Sequence, residues 1–349
     1  MLSSLQPFIE KKDATLITSH ALFQVTPDSL IVKATDQEIG LSITTKDLTT
    51  ESFGNFTCNG KKILDIVRIL KDDKITIEAA NEEVVIKQGR SKYKIPSFDA
   101  STFPSFPLYE SLPKVNIDRS KLITALKKIS PTIAINNPKY ELNGALIDIK
   151  SSVINIVATD TKRLGLYKIE QNSDKNLAII LPKKAIVEIQ KIFSSSLKLY
   201  YDDTNLIITQ DDYFFYTKVI NGKFPDYERI IPRELKHTFT ISTEDMIEAI
   251  RQANILAQDI RVTFDTGEVR FENFNNDKDE VKTAFEANIT VDTPFSIGFT
   301  CKLVLDFLQQ CQSENFVIGL NEPNLPFILK NEQFSTIVMP VAEPTHNAV

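Results

Sequence analysis

The sequence predicts an α+β fold of three similar domains, each with two helices and several hairpin-linked strands. Three observations predict it. Ala34-Thr35-Asp36 recurs 124 residues further on as Ala158-Thr159-Asp160. The same interval carries Ala21-Leu22-Phe23-Gln24-Val25 onto Ala145-Leu146-Ile147-Asp148-Ile149, and Pro7 onto Pro131. It also carries Val115-x-Ile117 and Leu122-Ile123-x-Ala125-Leu126-Lys127-Lys128 onto Phe239-x-Ile241 and Met246-Ile247-x-Ala249-Ile250-Arg251-Gln252. A helical pattern occurs three times, as Ile63-Leu64-Asp65-Ile66, Ile186-Val187-Glu188-Ile189 and Val304-Leu305-Asp306-Phe307. A period of roughly 20–50 residues would indicate a solenoid. This period is the size of a compact domain with its own core.

The middle copy shows the elements most clearly. Residues 114–117 read as a short strand. Residues 119–129 read as a helix, with Leu122, Ile123, Leu126 and Ile129 on one face, and Pro131 stops it. Residues 145–149 and 153–157 are strands joined by a turn at Lys150-Ser151-Ser152. Leu181-Pro182 opens a second helix to Phe193, with Pro at the first turn. Strands follow at 197–201, 206–209 and 213–219, with Asp202-Asp203-Thr204-Asn205 as a turn. Proline-rich connectors, Phe103-Pro104-Ser105-Phe106-Pro107 to Pro113 and Pro225 to about Lys236, place the domains at 1–112, 113–235 and 236–349. At the repeat interval Met1 matches Ala125, so the first domain has no counterpart of the strand near Val115–Ile117.

Composition narrows the function. Cys58, Cys301 and Cys311 are few and odd in number, which fits reduced thiols in a cytoplasmic protein. No apolar run approaches the ~20 residues of a membrane span, and the first residues lack the basic end and apolar stretch of a signal peptide. A net charge of −6 argues against a protein that simply coats nucleic acid. His20, His237 and His346 have no catalytic partner at a recognised spacing, and no Gly-rich phosphate loop is present, so neither a cofactor nor a metal is expected. Asp36 and Asp160 are read as turn residues that satisfy the backbone. The helical regions of the first two copies are basic all the same, while the third is weaker, with Arg251 and Lys302 beside Glu244, Asp245, Glu248 and Asp306. Lys11, Lys12, Lys61, Lys62, Arg68 and Lys71 mark the first copy, and Lys121, Lys127, Lys128, Lys183, Lys184 and Lys191 the second. Many carboxylates sit in turns instead, among them Asp202, Asp203, Asp211, Asp212, Asp277, Asp279 and Glu280. Basic helices with acidic turns point to a polyanion on one side only.

Four motifs carry a family resemblance. They are Ala158-Thr159-Asp160-Thr161-Lys162-Arg163-Leu164, Lys223-Phe224-Pro225-Asp226-Tyr227-x-Arg229-Ile230-Ile231-Pro232, Glu141-Leu142-Asn143-Gly144 and Val338-Met339-Pro340. Together they resemble the bacterial DNA sliding clamp, the beta subunit of DNA polymerase III, and the likeness spans the chain. The resemblance implies three domains of the DNA-clamp type, each with two helices packed on antiparallel sheets. It implies a head-to-tail homodimer whose six domains form a ring, with basic helices facing encircled double-stranded DNA without regard to sequence. It also implies a non-catalytic processivity subunit that tethers the replicative polymerase, the clamp loader and other proteins bearing a clamp-binding motif.

The resemblance further implies three sets of residues. A cleft for partner peptides of the Gln-Leu-x-Leu-Phe kind is walled by Leu142, Thr159, Thr161, Lys162, Arg163, Leu164, Pro225, Arg229, Ile230, Pro326, Ile337, Val338, Met339, Pro340 and Val341. Leu142, Leu164, Ile230, Ile337 and Met339 supply its apolar floor, and Arg163 and Arg229 its charged rim. DNA faces Lys11, Lys12, Lys61, Lys62, Arg68, Lys127, Lys128, Lys183, Lys184 and Lys191, with Lys139 and Tyr140 on the approach. The dimer contact uses Tyr93 and Ile95 with Ile255 and Leu256.

Two departures stand out. Thr161-Lys162 replaces the Gly-His usual in the family's cleft turn, and a β-branched Thr is strained if the position needs positive φ. The chain also continues past Val341, with a tail that starts at the mouth of the cleft. The competing readings are a nuclease, which would need converging carboxylates, and a protein-interaction scaffold with no role on DNA.

Overall fold

The computed structural model describes residues 1–80, 82–193, 197–274 and 279–342. The first third holds α1 (Leu2–Leu5), β1 (His20–Val25), β2 (Leu30–Thr35), β3 (Ile39–Thr45), β4 (Gly54–Asn59), α2 (Gly60–Ile69), β5 (Thr76–Ala80), β6 (Glu83–Gln88) and β7 (Ser91–Pro96). The middle third holds β8 (Lys114–Val115), α3 (Arg119–Ile129), β9 (Gly144–Ile149), β10 (Val153–Thr159), β11 (Arg163–Glu170), β12 (Leu177–Pro182), α4 (Lys183–Ile192), β13 (Lys198–Tyr201), β14 (Asn205–Gln210) and β15 (Tyr213–Lys218). The last third holds β16 (His237–Ser242), α5 (Thr243–Ala253), β17 (Asp259–Asp265), β18 (Glu268–Asn273), β19 (Lys282–Glu286), β20 (Phe295–Thr300), α6 (Cys301–Leu308), β21 (Asn315–Leu320), β22 (Phe327–Asn331) and β23 (Phe334–Val338). The strand–helix–strands–helix–strands order is thus used three times, the first with no opening strand among the described residues.

The chain folds into two compact units, Met1–Ser120 with Lys184–Ile220, and Lys121–Lys183 with Asn221–Val349. The first contains an eight-stranded sheet in the order β4-β1-β2-β3-β15-β14-β13-β8 and a three-stranded sheet β5-β6-β7. The second contains an eight-stranded sheet β12-β9-β10-β11-β23-β22-β21-β16 and a four-stranded sheet β19-β18-β17-β20. All pairings are antiparallel. Each large sheet therefore joins strands from two neighbouring copies of the repeat. β15 pairs with β3 in one and β23 with β11 in the other.

Side-chain chemistry explains the joins. At the β15–β3 seam, Tyr216 lies opposite Gly40. A Cβ at Gly40 would fall 2.1 Å from the Tyr216 ring, so only glycine leaves room for it. The Tyr216 hydroxyl lies 2.6 Å from Thr35 Oγ1. Below the same sheet, Phe8 and Phe193 both pack edge-on against Phe215. In the second unit, Phe307 stacks on Phe334 and meets Phe316 edge-on. Burying each such ring contributes about 1.5–3 kcal/mol. The helices are amphipathic as expected. α2 buries Ile63 and Leu64 and presents Lys61, Lys62, Asp65 and Arg68 outward, and Asn59 caps it by accepting from Lys62 N.

The helix at 119–129 matches its sequence pattern residue for residue, and Pro131 then sits in a 3₁₀ turn, Ser130–Thr132. Other expectations need correction. The strand expected over 114–117 is shorter, because only Lys114 and Val115 pair with β13. Leu181 and Pro182 do not open α4. They end β12, an edge strand, where a proline costs no ladder hydrogen bond. In the other copies β13 and β21 take β8 and β16 as neighbours, whereas β5 pairs with β6 alone among the described residues.

Candidate functional site

The turn between β10 and β11 carries Thr159, Thr161, Lys162 and Arg163 of the expected cleft. Asp160 Oδ1 accepts from Lys162 N and Arg163 N, both at 3.0 Å. Thr159 Oγ1 donates to Arg163 O at 2.6 Å and accepts from Thr161 N at 3.1 Å. The first copy repeats this bond for bond. Asp36 Oδ1 accepts from Glu38 N and Ile39 N, and Thr35 Oγ1 joins Ile39 O and Gln37 N. Both aspartates are therefore turn-formers, as their recurrence indicated. The turn forces φ to +78° at Thr161 and +74° at Gln37. A β-branched residue there is held against its preference, so the turn keeps its left-handed geometry without the glycine.

Arg163 departs from its expected role at the rim. Its side chain is 4% exposed, between Asp160 Oδ2 at 3.1 Å and Asp306 Oδ2 at 2.8 Å. It donates to the carbonyls of Pro131 at 2.6 Å and Leu303 at 3.2 Å. All three guanidinium nitrogens have partners inside the protein, so Arg163 locks this turn onto α6. Arg229, the other cation expected at the rim, is 84% exposed and pairs with Asp226 at 2.7 Å on the surface.

The expected floor divides in two. Leu142, Leu164, Ile337 and Val338 are buried, with Leu164 and Ile337 directly opposite across β11 and β23. Thr159 is buried too. Ile230, Pro225 and Met339, the last 43% exposed, form the accessible apolar surface, with Thr161 and Lys162 beside them. Pro326, Pro340 and Val341 are half-buried. Met339 N donates to Lys162 O at 2.9 Å, which ties the end of β23 to the turn. Leu325, exposed in the β21–β22 connection beside Pro326, is apolar surface that the motifs did not point to. Residues 343–349 of the tail lie outside the described residues, as does Asp277.

Of the lysines expected to face DNA, Lys11, Lys12, Lys61, Lys62, Lys127, Lys139, Lys184 and Lys191 are exposed, as are Arg68 and Tyr140. Lys184 is paired with Asp36 and Lys191 with Glu188. Burial lowers the pKa of Lys183 and of Lys184, and Lys183 is half-buried. Lys128 does not belong to the set. It is 7% exposed, its Nζ about 6 Å from the ring centres of Tyr167 and Phe334. One helical step of 100° separates it from outward-facing Lys127. In the dimer set, Ile255 is 79% exposed and Leu256 is exposed as well. Tyr93 is half-buried and Ile95 is part of its own domain's core.

Comparison with known proteins follows this geometry closely. Three family models match in sequence order, the DNA polymerase III beta subunit N-terminal domain over residues 1–107, its central domain over 116–226 and its C-terminal domain over 228–342. The beta sliding clamp of Helicobacter pylori strain J99 is 34% identical, over 97% of this chain and 96% of its own. That of Vibrio cholerae is 26% identical, over 93% and 92%. A crystal structure of the Helicobacter pylori beta clamp bound to a DNA ligase peptide superimposes with a TM-score of 0.91 at 34% identity, covering 98% of this chain and 96% of that one. The repeat, the strand order, the cleft turn and these relatives agree, and the chain belongs to the DNA polymerase III beta subunit family, the bacterial beta sliding clamps.

Proposed function

We propose that two copies of this chain close head to tail around duplex DNA, and that the cleft docks the peptides of proteins working there. Clamp tethering is the family's function, and its members are processivity factors and not catalysts. The observation that carries the ring is the pattern of filled and open strand edges. The last strand of the middle copy, β15, pairs with β3 of the first, and β23, the last strand of the last copy, pairs with β11 of the middle one. The third strand of the first kind, β7, ends its sheet, and so does the third of the second kind, β19. A second chain supplies each with the partner that its equivalents already have. Two such joins make a heterologous contact close on itself and cover edges that would otherwise invite aggregation. Exposed Ile255 and Leu256 supply apolar surface for that join.

Phosphate contacts come from the exposed lysines, each adding about 0.9 to the salt slope of duplex binding. A closed ring is retained by topology, so an acidic protein can hold DNA with few of them. The replicative polymerase's catalytic subunit, the clamp loader and other proteins with clamp-binding motifs are the cleft's partners. A clamp working on replicating bacterial DNA would act in the cytoplasm. No helix among the described residues is long and apolar enough to cross a membrane.

The cleft is tested by calorimetry with a Gln-Leu-x-Leu-Phe peptide. Two or three apolar anchors at about 1.5–3 kcal/mol each, less the cost of ordering the peptide, give micromolar affinity. Met339→Ala removes one accessible anchor and weakens binding at least tenfold, about 1.4 kcal/mol. Affinity within twofold of the unchanged protein removes this cleft from the proposal.

A further inference from the structure

Next to the proposed cleft, one face of the second unit's large sheet holds a cavity of about 540 Å³. Its lining is mixed, with an apolar part from Val153, Leu166, Ile231 and the ring of Tyr227, and a polar part from Asn155 and the charged rim. The register shows that it continues the cleft. Thr159 opposite Leu164 is the cleft's rung, and Val157–Leu166, Asn155–Lys168 and Val153–Glu170 follow on the same face. The 3₁₀ turn Tyr227–Arg229 borders both, with Tyr227 and Glu228 at the cavity and Arg229 leading into Ile230 at the cleft.

One polar group in this cavity is incomplete. Tyr227 Oη donates to Asp148 Oδ2 at 2.6 Å and accepts from Asn155 Nδ2 at 2.9 Å. Lys150 Nζ steadies the arrangement, 2.6 Å from Glu228 and 3.5 Å from Asp148. Because Asp148 takes the Tyr227 proton, the hydroxyl must accept from Asn155, which fixes the amide's orientation. Asn155 is 5% exposed, and its Oδ1 has no hydrogen-bond partner. A buried acceptor without a donor is costly. A donor brought into the cavity would relieve it.

We propose that this cavity is a second pocket for the same partner peptides, and that it takes a donor-bearing aromatic side chain, Trp above all, flanking the core motif. The indole body would pack on Val153, Leu166 and Ile231, and its N–H would reach Asn155 Oδ1. Lys150, Lys168, Glu170 and Glu228 balance in charge at the rim, which suits a neutral donor. The proposal rests on the cleft being the peptide-docking site. From Leu164 to Lys168 is four strand positions, about 13 Å, so a four-residue extension spans the distance.

Calorimetry on the full chain compares the Gln-Leu-x-Leu-Phe core with the same core extended by Gly-Ser-Gly-Trp at its C-terminus or Trp-Gly-Ser-Gly at its N-terminus. One of the two extended peptides binds at least fivefold tighter than the core. Replacing its Trp with benzothienylalanine, an isostere without the N–H, removes most of the gain. Ser152→Trp, which fills the cavity mouth from an exposed turn, removes the gain and leaves core affinity unchanged. No gain from either extension, or a gain that survives Ser152→Trp, overturns the pocket. A gain kept by the benzothienyl peptide overturns the Asn155 contact. If the core itself does not bind, the cleft reading fails first and takes this one with it.

Discussion

Replacing Arg163 with methionine keeps an unbranched apolar stem and deletes the guanidinium and its charge. The deletion strips one ion pair each from Asp160 and Asp306, and removes the donors of the Pro131 and Leu303 carbonyls. Breaking a buried pair costs about 3–5 kcal/mol. Here the orphaned carboxylates keep other partners, Lys302 at 3.0 Å for Asp306 and two backbone N–H groups for Asp160. The lower end of that range therefore applies, about 3–4 kcal/mol. For a folding unit of this size each kcal/mol moves the melting temperature by about 2–4 °C, so Arg163→Met should melt roughly 10 °C lower. Arg163→Lys keeps the charge but cannot span both carbonyls and both carboxylates, and falls between the two. Differential scanning calorimetry reads all three proteins. A melting temperature within about 2 °C of the parent, together with lost binding of the cleft peptide, would put the guanidinium at the rim and refute the anchoring role.

Two further outcomes follow from the geometry. Ile255→Asp places a charge on one of the most exposed apolar side chains, and the proposed dimer should then sediment as a monomer at micromolar concentration, with the cleft peptide still bound. A dimer of unchanged affinity would move the contact elsewhere. His20 sits stacked on Phe98 with Nδ1 3.1 Å from Thr57 Oγ1, and burial, helped by the Lys62 charge, lowers its pKa to about 4. The unfolded chain titrates near 6.5, so between those values the unfolded state takes up a proton that the folded state refuses. Stability is therefore complete above pH 6.5 and falls as pH drops toward 4, by up to about 1.4 kcal/mol per unit and less where solvent screens Lys62. Urea titrations across that window should show the slope in the parent and lose it in His20→Asn.

Much of this architecture was legible in local pattern. The recurring Ala-Thr-Asp marks two copies of one turn, and each aspartate makes the backbone bonds that its residue type favours there. The helix at 119–129 follows from its apolar spacing. What local pattern could not show depends on long-range pairing. β11 begins with Arg163 and reads as a rim sequence until Asp306 and the Leu303 carbonyl, far along the chain, close around it. Lys127 and Lys128 are indistinguishable as neighbours in sequence, and only the rings of Tyr167 and Phe334 separate them. The sheets join copy to copy through Ile43 with Tyr213 and Leu164 with Ile337, contacts that no window of sequence contains. The cavity exists because Tyr227 folds back onto Asp148 and Asn155.

The proposed ring holds DNA by encirclement. The protein is loaded onto a nicked circular duplex by a clamp loader, separated from free protein by gel filtration at raised salt, and the circle is then cut once. The ring predicts that bound protein stays with the intact circle and leaves within minutes of linearisation, and that blocking both linear ends restores retention. Equal retention on open linear DNA, or loss from the uncut circle at the same rate, would contradict it.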